Sequence, residues 1–229
     1  MTNSLAYPSR TARLTARSAT DAPLILTVPG LGSSGPTHWQ SAWESSLDLD
    51  VARVDLGSWD DPHRNTWVNK LNLAIRRADR PVVLVAHSLG CLAVAWWVEY
   101  EALVEEHNVV GALLVAPPEA DAEFAGREPD LRLARFAPTP RSVFPFPSIV
   151  VASRDDPWIG FGRARSLAEA WGSRFADAGQ TGHINADSGL GDWAFGRLLL
   201  DQVIARAGRL PVVAPPPLAT PRPRGLFAA

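Results

Sequence analysis

The chain is expected to form a three-layer α/β fold, with a mostly parallel sheet of about six strands, helices on both faces and no large cap domain. Short β-branched runs alternate with segments of helical spacing along the chain. Most of those runs are too continuously apolar to be half exposed, which places them in a sheet buried on both sides. No insertion between them is long enough for a large lid.

Leu24–Val28 is the first predicted strand, and Trp39, Trp43 and Leu47 after it fall at i, i+4 and i+8, one apolar helical stripe. Val51–Asp55 is the second strand; Val68, Leu71 and Ile75 then mark the next helix. Val82–Ala86 precedes a segment from Leu89 to Glu105 that is apolar on most sides and therefore a central helix. Gly111–Ala116 is the fourth strand, followed by the one sizeable loop, Pro117–Pro147. Ser148–Ala152 is the fifth. Phe161, Ala164, Ala168 and Trp171 give an amphipathic helix, Ser173–Ala176 a short sixth strand, and Trp193 to Ala207 the last helix. Residues 22–208 are thus read as one domain. Residues 1–21, rich in Ser, Thr and Arg, are read as a disordered leader, and residues 209–229 as a mobile tail whose prolines cannot donate to a ladder.

Hydrophobic residues make up 46% of the chain and charged residues 20%, with a formal net charge of -2, an ordinary balance for a globular protein. No basic stripe or Cys/His cluster points to nucleic acid or metal. No apolar run reaches membrane-spanning length. A single cysteine, Cys91, rules out an internal disulfide and fits a reducing, cytoplasmic setting.

The chemistry is carried by VVLVAHSLG, residues 82–90: a buried strand, a small-x-Ser-x-Gly turn, then a helix. A serine on such a turn is forced outward at the C-terminal edge of the sheet, the arrangement of a nucleophile elbow. Ala86 and Gly90 let neighbouring backbone approach. In the α/β-hydrolase fold an acid and then a histidine follow later strands. Here SIVVAS leads into Arg154, Asp155, Asp156 and Pro157, and the next element ends at His183. Ser88 is the predicted nucleophile, His183 the general base and Asp156 the orienting acid. Asp155 stays as the alternative acid, Asp192 as a more distant one. The tetrahedral oxyanion needs backbone donors, assigned to the N–H groups of Leu89 and of Leu31 in the loop after the first strand. No cofactor is called for, and the expected substrate is a small acyl compound.

That loop also supports a rival reading. Gly30-Leu31-Gly32-Ser33-Ser34-Gly35 spells G-x-G-x-x-G, and Asp55 lies where a ribose-binding acid would. In a dinucleotide fingerprint, however, the helix opens within the glycine run, whereas Gly35-Pro36-Thr37 starts it later. A third reading keeps the fold but makes the protein a macromolecular binding module with an idle triad.

The blocks VPGLGSSGPTHWQSAWE, VLVAHSLG, VVASRDDPW and WGSRFADAGQTGHINADSGLGDW resemble the small single-domain serine hydrolases typified by retinoblastoma-binding protein nine and the bacterial YdeN-type proteins. The resemblance implies a compact α/β-hydrolase fold without a large cap, esterase-type activity, and a Ser-Asp-His triad at Ser88, Asp156 and His183. Ala194 departs from the proline common after the tryptophan. Among the nine tryptophans, Trp39, Trp59 and Trp158 are expected to line an apolar substrate pocket, with Trp193 also near the site loops. Trp43, Trp96, Trp97 and Trp171 are assigned to packing, as is Cys91. His38 is expected to support the oxyanion loop, while His63, His87 and His107 show no metal-ligand spacing.

Overall fold

The computed structural model describes residues 22–103, 105–121 and 130–208; the leader and tail read from the sequence lie outside these. Six strands form one parallel sheet in the order β2-β1-β3-β4-β5-β6. They are β1 (Leu24–Val28), β2 (Val51–Arg53), β3 (Val82–His87), β4 (Val109–Val115), β5 (Ser148–Ala152) and β6 (Arg174–Asp177). The helices are α1 (Trp39–Ser46), α2 (Arg64–Arg77), α3 (Leu89–Trp97), α4 (Leu131–Ala134), α5 (Phe161–Ala170) and α6 (Ala194–Ala207). Among the described residues there is no large cap, and no helix is long and apolar enough to cross a membrane.

Two apolar layers sandwich the sheet, and the period-two alternation of the strands divides their side chains between them. Leu26, Val28, Leu84, Ala86, Leu114 and Val150 face a core shared with α2, α3 and α5. Ile25, Val83, Val85, Leu113, Val115 and Val151 face the other, shared with Trp39 and Trp43 of α1 and Leu199, Leu200 and Val203 of α6. Every residue of β3 is buried, because this central strand has neighbours on both edges and both faces.

The boundaries differ from the sequence reading where local context intervenes. β2 stops at Arg53 because it is an edge strand with a single partner, β1. The central helix ends at Trp97 and continues as a π-helical turn over Val98–Ala102 rather than running regularly to Glu105. β4 starts at Val109, two positions before the predicted Gly111, since Val82 and Val109 already pair there. β6 is displaced by one residue, to Arg174–Asp177.

In a parallel sheet all strands end at the same edge. The residues after β1, β3, β5 and β6 therefore converge on one rim, where open α/β sheets collect their sites.

Candidate active site

Ser88 leaves β3 with φ 52° and ψ -127°, a backbone that L-residues rarely adopt, and caps α3. The turn is held by its N–H donating to Val115 O at 2.9 Å and its carbonyl accepting from Cys91 N at 2.9 Å. Its tightness needs glycine at two places. A Cβ on Gly90 would lie 2.3 Å from Val28 O, and one on Gly30 would lie 2.7 Å from Ser88 Cβ. Gly30 thus exists for close approach of the β1 loop to the turn. α1 opens only at Trp39, well past Gly35, so no helix N-terminus meets the glycine run. Asp55 instead accepts from Gly57 N in its own turn. The dinucleotide reading finds no support in this geometry.

His183 lies in the loop after β6. Its Nδ1 is 2.9 Å from both carboxylate oxygens of Asp156, and its Nε2 is 2.8 Å from Ser88 Oγ. A carboxylate can only accept, so Nδ1 carries the proton and Nε2 offers its lone pair to the serine hydroxyl. The Asp156 side chain is fully buried, and its Oδ1 also accepts from Trp158 N at 2.8 Å. Asp155, the alternative acid, is turned elsewhere: its Oδ1 accepts from Ser153 Oγ at 2.6 Å and from Gly182 N at 2.8 Å. It stitches the β5 and β6 loops together, and these bonds, Ser153's first, hold its carboxyl below the usual range. Asp192 bonds Ser46 Oγ away from the imidazole.

The cleft beside Ser88 encloses about 230 Å³ and is walled by Leu31, Leu133, Trp158, His38 and Asn185, among others. Of the three tryptophans expected at the pocket, Trp158 borders this cleft, and its carbonyl accepts from Glu119 N at 2.9 Å. Two expected wall residues are not there. Trp39 is 1% exposed, deep in the core under α1, and its indole N–H donates to Ile184 O at 2.8 Å. Trp59 packs edge-on against Trp67, 5.8 Å between ring centroids, and its carbonyl accepts from Gly32 N; it supports the glycine loop from outside the cleft. Leu133, from α4, and Asn185, two residues after His183, also wall the cleft, and neither was expected as a wall residue.

Two further imidazoles adjoin the cleft. His38 Nδ1 accepts from Gln40 N at 3.1 Å, capping α1. His87, one residue before Ser88, donates from Nε2 to His183 O at 3.0 Å. The sequence had offered only the missing metal spacing for His87, and its adjacency to Ser88 was the available signal. Among the described residues no cluster of three or more His, Cys, Asp or Glu side chains could hold a metal. Burial, then the Arg53 and His183 charges, lowers the His38 pKa from 6.5 to about 4; burial, then His183, pushes His87 well below its ordinary range. Cys91 is fully buried, and that burial pushes its thiol pKa upward.

Those depressed histidines make stability depend on pH. Between pH 6.5 and about 4 the unfolded chain binds protons that His38 refuses in the fold, so stability falls as pH drops through that window. At pH 5 the cost from His38 alone is on the order of 2 kcal/mol. The thermal midpoint should fall between pH 7 and pH 5, less steeply in His38→Gln. A midpoint unchanged over that range in the wild type would contradict this.

The Serine hydrolase family model matches residues 25–202. Among solved structures, a YdeN-like hydrolase from Pectobacterium atrosepticum is 30% identical, with a TM-score of 0.70 over 82% of this chain and 94% of that one. The ydeN gene product from B. subtilis is 20% identical, with a TM-score of 0.63 over 80% of this chain and 100% of that one. Est1E from Butyrivibrio proteoclasticus shares the fold at 14% identity, with a TM-score of 0.55 over 81% of this chain and 87% of that one. No curated protein matches the chain. The family match begins in β1 and ends inside α6, taking in every strand and every loop at the rim, and the chain belongs to the serine hydrolase family.

Proposed function

We propose that the protein hydrolyses short-chain carboxylic esters through an acyl-enzyme, with Ser88 as nucleophile, His183 as general base and Asp156 as the acid that orients it. The observation that carries this reading is the unbroken relay from Ser88 Oγ to His183 Nε2 at 2.8 Å and from His183 Nδ1 to Asp156 at 2.9 Å. A role in binding alone leaves that alignment without a use.

A serine hydroxyl is a weak nucleophile at neutral pH. As Oγ attacks the ester carbon, His183 Nε2 takes its proton, and the buried Asp156 carboxylate stabilises the imidazolium. The carbonyl oxygen becomes an oxyanion held by the N–H groups of Leu89 and Leu31. Leu89 is the first residue of α3, so its N–H has no acceptor within the helix and lies at the positive end of the dipole. Collapse of the tetrahedral species expels the alkoxide, which takes the proton from His183. Water then gives a proton to His183 as its oxygen attacks the acyl carbon, and Ser88 leaves with that proton.

The size and lining of the cleft support a short acyl chain. At about 230 Å³ the cleft is smaller than the roughly 300–1,000 Å³ typical of sites for drug-sized ligands. Leu31, Leu133 and Trp158 make its apolar walls, suited to a few carbons of acyl chain. On p-nitrophenyl esters, kcat/KM should be highest from acetate to butyrate and at least about 10-fold lower for octanoate, with Ser88→Ala at background throughout. A response that ignores both chain length and the mutation would overturn the proposal.

A further inference from the structure

The loop that carries His183 has unusual backbone at two points, one beside the histidine and one where α6 begins: Ile184 has φ 50° and Trp193 φ 43°. Neither is glycine, and for a β-branched residue such as Ile184 a positive φ is a genuine outlier. Conformations of this kind persist only where the surroundings fix them. Helix α1 supplies part of that fixing. Trp39 and Trp43 lie four residues apart, on one face. Trp39 Nε1 donates to Ile184 O and Trp43 Nε1 to Asp192 O, each at 2.8 Å. The two indoles therefore hold the loop next to each of its strained residues. Trp193 packs back on them, 4.9 Å from Trp39 and 6.1 Å from Trp43 between ring centroids.

The elbow supplies the rest. His87 Nε2 donates to His183 O at 3.0 Å, while its neighbour Ser88 meets His183 Nε2 at 2.8 Å. Two consecutive residues thus grip the same histidine, one by its backbone and one by its ring. The carbonyls of His183 and Ile184, adjacent in the chain, are each captured by a ring N–H from a buried side chain. His38 caps α1 just before Trp39 and packs edge-on against His87, with 4.7 Å between ring centroids.

We propose that Trp39 and His87 are positioning residues, whose ring N–H donors hold the strained His183-Ile184 backbone so that the imidazole stays in line with Ser88. The proposal rests on the reading of Ser88 and His183 as nucleophile and base. Without either donor the left-handed turn relaxes and the ring swings away from the serine. A displacement of about 1 Å in a reacting group can cost on the order of 100-fold in rate.

The test uses variants that delete a donor while keeping a ring: Trp39→Phe and His87→Phe. His87→Gln carries an amide N–H to about the place of Nε2. Trp171→Phe is the control, because it removes a buried indole donation to Pro140 O at 2.7 Å in a different part of the molecule. Folding is checked by circular dichroism; should Trp39→Phe fail to fold, the His87→Phe and His87→Gln pair decides alone. Expected is a kcat roughly 10- to 100-fold lower in Trp39→Phe and His87→Phe with KM little changed, recovery of most of the loss in His87→Gln, and wild-type kcat in Trp171→Phe. The far-downfield proton resonance of His183 Nδ1 should weaken in the two impaired variants and persist in the control. The proposal is overturned if both phenylalanine variants turn over within about twofold of wild type, if His87→Gln is as impaired as His87→Phe, or if the control loses as much. A fully active Ser88→Ala would instead remove the underlying assignment of the nucleophile.

Discussion

Replacing Ser88 with alanine, or His183 with alanine, is expected to lower kcat by about 10⁵- to 10⁶-fold, and replacing both to cost little more than either alone. In the proposed mechanism the two side chains act as a unit: the hydroxyl has no useful nucleophilicity until an imidazole 2.8 Å away accepts its proton, and the imidazole has nothing to activate once the oxygen is gone. Steady-state kinetics on p-nitrophenyl butyrate should show the losses in kcat, because Leu31, Leu133 and Trp158, the apolar walls of the cleft, are unchanged in these variants. Additive losses in the double variant would mean that the residues work separately. The residual rate over water should come from the Leu31 and Leu89 N–H groups.

Asp156→Asn is expected to lower kcat by about 10⁴-fold, against less than about 10-fold for Asp155→Asn. An asparagine amide can present its own N–H to Nδ1, which turns the imidazole to the tautomer with its proton on Nε2. That nitrogen then cannot accept from Ser88. Asp155 touches the imidazole nowhere; it accepts from Ser153 Oγ and Gly182 N, so its loss loosens the loop without changing the tautomer. Parallel kinetics on the two variants discriminate the neighbouring carboxylates. Equal losses, or a larger one at Asp155, would contradict the assignment.

The strands and the rim were legible because a parallel sheet buried on both faces leaves an unbroken apolar record, as in β3 and β5, and its polarity sends every strand end to one edge. The turn at Ser88 was legible for a local reason, since VVLVAHSLG contains its own strand, tight turn and helix start. What each tryptophan does was not. Trp39 and Trp158 both stand beside site loops in the sequence, yet one is buried under α1 bonding Ile184 and the other walls the cleft. The difference is set by contacts between residues distant in the chain, which no local pattern encodes. The same holds for His87, whose partner is a backbone carbonyl and so leaves no mark on residue type. The length of β2 depended on its place at the sheet edge, and the π-helical turn after Trp97 has no counterpart in the hydrophobic spacing.

Reaction with a fluorophosphonate, followed by intact mass and peptide mapping, interrogates the activated serine without any assumption about the natural ester. One adduct per chain, located on Ser88, absent from Ser88→Ala and formed far more slowly in His183→Ala, is the expected result. A folded wild-type protein that stays unlabelled, or one labelled equally fast without His183, would contradict the relay on which the proposed chemistry stands.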